Sequence, residues 1–118
     1  MANIVSDTIN EVVNSVGKII GAPLAVRLIS EEIERVKTMY PEIEDAKFSD
    51  SKVDIKLKAG VSEDKLKEIL STVLSSLEKS YSGVMGLVAK TIVKKSYETV
   101  YGNYKSKYPK LKDIAEKL

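Results

Sequence analysis

Apolar residues recur along most of this chain with the period of an α-helix, and over one short stretch with the period of a strand. Val5, Ile9, Val12, Val16 and Ile19 follow the i, i+4, i+7, i+11 spacing, and Val13 and Ile20 widen the stripe. That predicts an amphipathic helix over 6–20, capped by Ser6 or Asp7, with Asn10, Glu11, Asn14 and Lys18 on its wet face. Gly21-Ala22-Pro23 stops the pattern, because glycine readily turns left-handed beyond a helix end and proline suits the first turn of the next helix. A second helix is expected over 23–39, with Leu24, Leu28, Ile33 and Val36 inward and Glu31 spaced to pair with Arg35. Tyr40-Pro41 ends it, since a residue before proline is driven out of helical geometry.

Between Glu42 and Lys58 the pattern becomes an alternation. In Val53-Asp54-Ile55-Lys56-Leu57-Lys58 every second residue is apolar, Ala46 and Phe48 alternate before it, and Ser49-Asp50-Ser51-Lys52 is the turn between. A two-stranded hairpin over 44–58 is marginal alone in water, so its apolar face must rest on helices or pair with another chain. Ser62, followed by Glu63 and Asp64 where the helix dipole favours acids, opens a helix over 62–80 that faces Leu66, Ile69, Leu70, Val73, Leu74 and Leu77 inward.

Ser80-Tyr81-Ser82-Gly83 reads as a turn, or as a kink in a continuous helix. Val84, Leu87, Val88 and Ile92 resume the period in a helix over 84–107, with Gly86 and Ala89 small enough to let another backbone approach. Pro109 breaks it and leaves a short tail helix over 110–117. The expected fold class is mainly α (α+β), a single domain over 1–118. Four helices pack as a bundle, with a small hairpin between the second and third.

Composition narrows the chemistry. The 118 residues, 43% apolar and 31% charged, suit one domain with one core, and they include no Cys, His, Trp or Gln. Without thiolate or imidazole there is no structural zinc site, Cys nucleophile or His general base, and no run has the acidic spacing and turn glycine of an EF-hand loop. The expectation is a non-enzymatic protein with no cofactor and no metal. The same bias, beside abundant Lys, Glu, Ile and Val, resembles that of proteins from hot-growing organisms. The longest uncharged runs, near Ile19–Val26 and Ser80–Ala89, are about half a membrane span, and the first residues lack the basic and apolar blocks of a secretory signal. A cytoplasmic location is expected, and a membrane is not an expected partner.

Net charge is only +2 but unevenly spread. Residues 1–48 carry 5 basic and 8 acidic side chains, residues 49–89 carry 6 and 6, and residues 90–118 carry 8 and 3. An acidic front and a basic back suit solvated faces, head-to-tail association, or an anionic partner. In the basic segment Tyr97, Tyr101, Tyr104 and Tyr108 fall at i, i+4, i+7 and i+11, continuing Ile92 and Val93 and bordered by Lys90, Lys94 and Lys105. Such rings, apolar in body and wet at the hydroxyl, are at home in protein interfaces and at core rims.

The expected interaction surface is therefore Lys90, Lys94, Tyr97, Tyr101, Tyr104, Lys105 and Tyr108, meeting a protein partner or a second copy in a homo-oligomer. Nucleic acid is the alternative partner, its phosphates read by Lys90, Lys94, Lys95, Lys105 and Lys107, although two arginines in the whole chain weigh against it. A small apolar ligand between helices is neither indicated nor excluded.

Other constellations are less specific. Gly83-Val84-Met85-Gly86 has the Gly-x-x-Gly form of a KH loop, but Val and Met there call for burial. Gly17-Lys18 lacks the rest of a phosphate loop. Glu31-Glu32-Glu34, Glu42-Glu44-Asp45 and Glu63-Asp64 read as an exposed helix face, a loop and a first helical turn. From Leu77 to Tyr97, the succession Leu-x-x-x-Tyr-x-Gly-Val-Met-Gly-Leu-Val-Ala-Lys-x-x-Val-Lys-Lys resembles a segment of small helical modules attached to prokaryotic response regulators and kinases, where a ring and a glycine precede an apolar-then-basic helix. The resemblance covers about a fifth of the chain and implies a self-associating adaptor in prokaryotic signalling or transcription control.

Overall fold

The apolar stripes meet in one core. The computed structural model, which describes residues 3–118, places α1 at Ile4–Ile20, α2 at Ala22–Met39, β1 at Ile43–Phe48, β2 at Val53–Leu57, α3 at Glu63–Met85 and α4 at Val88–Tyr101. A single 3-10 turn at Pro109–Lys112 leads into α5, Asp113–Lys117. α1 packs on α2 and α4, and α3 packs on the same two helices, so the four long helices form a closed ring. The Tyr81 hydroxyl, near the end of α3, donates to the Ala25 carbonyl near the start of α2 at 2.6 Å, and Tyr104, beyond α4, reaches Asp7 at the start of α1. Both contacts require antiparallel neighbours. The result is an up-down-up-down bundle around Val12, Val16, Ile29, Ile33, Leu70, Leu74, Val93 and Tyr97. The fold is mainly α with a small antiparallel hairpin between α2 and α3.

Several expected boundaries move, each for a physical reason. α2 buries Ala25, Val26 and Ile29 and leaves Leu24 and Leu28 half-buried, because its start is pressed against α1: a Cβ on Gly17 would lie 3.1 Å from the Ala22 Cα. Arg35 pairs with Glu32, one turn back, and not with Glu31. α3 runs straight through Ser80–Gly83, since buried Tyr81 holds its last turns in the bundle, and it ends only at Gly86. Gly86 adopts φ +63°, a left-handed conformation that suits glycine, and nothing crowds the position where a Cβ would stand. Its role is this turn, not the close helix approach expected of it. α4 stops at Tyr101, six residues early, where the chain tightens into turns closed by Tyr104 N–H to Tyr101 O and Lys107 N–H to Tyr104 O.

The hairpin pairs Phe48 with Val53, Lys47 with Asp54 and Ala46 with Ile55. β1 carries a bulge between Ile43 and Asp45, where the Asp45 carboxylate accepts from the Ala46 N–H at 2.9 Å. The outer edge of β2 is closed by side chains of α1. The Asn10 amide donates to the Val53 carbonyl and accepts from the Val53 N–H, both at 2.8 Å. The Ser6 hydroxyl accepts from the Ile55 N–H at 2.8 Å and donates to the Ile55 carbonyl at 3.1 Å. Asn3 donates to that same carbonyl at 2.7 Å while its own carbonyl oxygen caps α1 through the Ser6 N–H. Asn3 is therefore the N-cap in place of Ser6 or Asp7, and Asn10 lies on a strand instead of in water. Three polar residues at i, i+3 and i+7 stand in for a third strand.

Two polar residues of α1 consequently have opposite worth. Asn10→Leu orphans the Val53 amide and carbonyl and is expected to destabilise by about 1–3 kcal/mol per orphaned group that stays dry, read as a lower urea midpoint. The Thr8 hydroxyl is buried with no hydrogen-bond partner among the described residues. Thr8→Val removes that desolvated group at nearly constant shape and is expected to raise stability by about 1 kcal/mol in the same assay.

Candidate interaction surface

The four clustered tyrosines close the C-terminal tail onto the bundle. Tyr97 is wholly buried, and its hydroxyl donates to the Leu111 carbonyl at 2.7 Å. It was expected on an interaction surface, and the structure makes it core. The Tyr101 ring stacks on it at 5.8 Å between centroids, and the Tyr101 hydroxyl donates to the Tyr108 carbonyl at 2.9 Å. Tyr104 donates to the Asp7 carboxylate at 2.5 Å. Its ring lies 6.1 Å from that of Tyr108, over which the Lys107 ammonium sits at 5.4 Å. Tyr101, Tyr104 and Tyr108 are half-buried, and the last two stand beyond α4, Tyr104 on turns where a helix as far as 107 was expected and Tyr108 just before the 3-10 turn. Burial lifts the phenols of Tyr81 and Tyr97 far above their ordinary value. Burial first, and the Asp7 carboxylate second, push Tyr104 up to about 12.

The lysines of the expected surface do not stay with the tyrosines. Lys105 lies in the turns beside the tail, whereas Lys90 and Lys94 are exposed along the first half of α4. They belong to an end of the bundle with its own character. The antiparallel ring brings the α1–α2 corner and the α3–α4 corner to the same end. The hairpin, on Ser6 and Asn10, and the tail, on Tyr97 and Asp64, occupy the other.

The corners of the free end lie within two stretches, 12–30 and 79–97, that run between Glu11 and Glu31 and between Glu78 and Glu98 and contain Lys18, Arg27, Lys79, Lys90, Lys94 and Lys95 and no carboxylate. All six cations are exposed. The six ion pairs found among the described residues, from Arg35–Glu32 to Lys110–Asp64, involve none of them. The remainder of the chain, with 13 basic and 17 acidic residues, is net −4.

Large apolar side chains protrude from this same end. Leu87, on the turn between α3 and α4, is 90% exposed, and Ile19, Val84 and Val88 are 60%, 53% and 52% exposed. Periodicity assigned all four to buried stripes. The available signal was the pair of uncharged runs, Ile19–Val26 and Ser80–Ala89, each flanked by lysine or arginine and brought together here as two adjacent corners.

No family model, curated protein or solved structure matches this chain. Function therefore rests on what the surfaces can do. Among the described residues no group of three or more acids, His or Cys is placed to hold a metal ion. No helix among them is long and apolar enough to cross a membrane. The main grooves are open to solvent: one on the outer face of the hairpin beside Glu44, Lys47 and Lys56, one between α1, β2 and Asn103, and one between α4 and the tail at Tyr101, Lys105 and Ala115.

The tyrosine cluster makes stability alkali-sensitive. A phenol whose folded pKa is raised contributes stability that is intact below its unfolded value near 10 and is lost as pH climbs through the folded value. Urea stability is expected to fall from pH 10 to about 12, and Tyr104→Phe should remove one phenol's share of that fall. An equally steep decline in the variant would show that Tyr104 titrates alike folded and unfolded.

Proposed function

We propose that this protein is a non-enzymatic interaction module whose contact surface is the carboxylate-free end of the bundle. One observation carries the reading: among the described residues this end holds six exposed cations that join no ion pair and four exposed large apolar side chains, the other such side chain being Met39 at the opposite end of α2. Exposed apolar residues gathered in one place, rimmed by one sign of charge, are characteristic of a surface that meets an anionic partner. Lys90 and Lys94 keep the role expected of them from sequence, while Tyr97, Tyr101, Tyr104 and Tyr108 support the fold behind them. An adaptor or regulatory setting in prokaryotic signalling is the accompanying proposal, supported by the resemblance of 77–97 alone.

Nucleic acid is the poorer partner for this end. Of the rings that would stack on bases, Tyr97 is buried, Tyr101 and Tyr104 are committed through their hydroxyls to Tyr108 and Asp7, and Tyr108 stacks on Tyr104; four apolar side chains have nothing to meet on a phosphate backbone. A second copy apposed through the same end would set six cations against six.

Leu87→Asp tests the premise. At 90% exposure the change should leave urea stability within about 0.5 kcal/mol of the parent, whereas a loss above about 2 kcal/mol would show that the side chain packs. Photo-cross-linking in the native cell from position 87, against position 112 at the other end, tests the surface itself. Adducts from position 87 that disappear with Lys90→Glu and Lys94→Glu support it, and equal yields from both positions refute it.

A further inference from the structure

The structure assigns the carboxylate-free end to an anionic bilayer surface, on which the protein would sit with the α3–α4 turn in the headgroup layer. This rests on the reading of that end as a contact surface and names its partner. It departs from the expectation that a membrane is no partner, which came from the shortness of the uncharged runs; lying on a bilayer requires no span.

Shape is the first argument. Leu87 stands at the apex of a turn, flanked by Val84 and Val88 on the two helix ends it joins, with Ile19 on the neighbouring corner. The grooves described above are lined by none of these four residues. An apolar tip that protrudes from a turn must itself be received by its partner, and the acyl–headgroup boundary accepts protruding apolar groups without prior complementarity.

Charge and its depth are the second. Lys18 adjoins Ile19, Lys90 lies three residues beyond Leu87, and Lys79 lies five before Val84, or ~7 Å along the helix. Lys94 and Lys95 lie ~10–12 Å behind Leu87 by the same measure. With the tip at the acyl boundary, a flexible lysine stem carries its ammonium back to phosphate level. Glu11, Glu31, Glu78 and Glu98 border the two stretches, and on each helix the cation stands nearer the tip than the carboxylate that follows it, Lys79 before Glu78 and Lys94 before Glu98. Between Lys79 and Val84 the chain is Ser-Tyr-Ser-Gly, and between Leu87 and Lys90 it is Val-Ala, all uncharged. An acidic protein would satisfy the cations equally well but would leave the convex tip without a receiving cavity that it had not itself prepared.

Flotation of the full chain with vesicles tests the assignment. Binding is expected to an equal mixture of phosphatidylcholine and phosphatidylserine at low salt, and not to phosphatidylcholine alone. Lys90→Glu, Lys94→Glu and Lys18→Glu should each weaken it by about fivefold or more, the worth of one lysine at such a surface. Lys105→Glu and Lys112→Glu at the other end should not. Because the chain has no tryptophan, Leu87→Trp introduces a sole indole, whose emission should shift to the blue only with the mixed vesicles. Circular dichroism confirms that each variant is folded. Failure to float, equal flotation on phosphatidylcholine alone, or flotation without the indole shift overturns the assignment. If vesicles are not bound while cross-links from position 87 still depend on Lys90 and Lys94, the lipid is wrong and the contact surface stands; if both fail, the surface reading falls with it.

Discussion

The structure depends on α1 being buried on two chemically different faces. Its apolar stripe, from Val5 to Val16, builds the centre of the bundle against α2 and α4. A second face, Asn3-Ser6-Asn10, satisfies the edge of β2 atom for atom, so a two-stranded hairpin too small to be stable alone is fixed as part of the domain. From the same turns Asp7 accepts the Tyr104 hydroxyl and anchors the chain beyond α4. The hairpin thus rests on the N-terminal half of α1 and the tail on α3 and α4 at the same end of the bundle, and neither reaches the C-terminal end of α1.

That asymmetry sorts the charges. Where elements crowd together, acids and bases interleave into ion pairs such as Lys67–Asp113 and Lys110–Asp64 that tie the tail to α3. They are exposed pairs and each contributes little. At the opposite end only helix corners are present, and none of the six ion pairs found among the described residues involves the cations there. A molecule of small net charge is thereby strongly dipolar, with its protruding apolar side chains at the positive pole.

The tyrosines show how a surface pattern can be internal. Alternating rings and lysines resemble a contact stripe, yet Tyr97 and Tyr101 spend their hydroxyls on carbonyls of the returning chain, at Leu111 and Tyr108. A phenol buried with one carbonyl acceptor is satisfied, and the tail it holds covers the ring that holds it. The reciprocal arrangement leaves Lys90, Lys94 and Lys95 as exposed cations of α4.

Sequence by itself determined the helices, the hairpin, their order and most of the core, because hydrophobic period, glycine, proline and capping residues act locally. It also contained the two uncharged runs and the lysines around them. Tertiary structure alone decided three matters. Gly86 and not Gly83 ends α3, since Tyr81 finds an acceptor across the bundle at Ala25. Asn10 and Ser6 face a strand instead of water, since only in the folded chain does an unpaired β2 edge stand beside them. Ile19, Val84, Leu87 and Val88 are exposed despite their helical period, because a stripe at a helix end is buried only if something lies beyond that end, and here the corners meet at a tip that no other element covers.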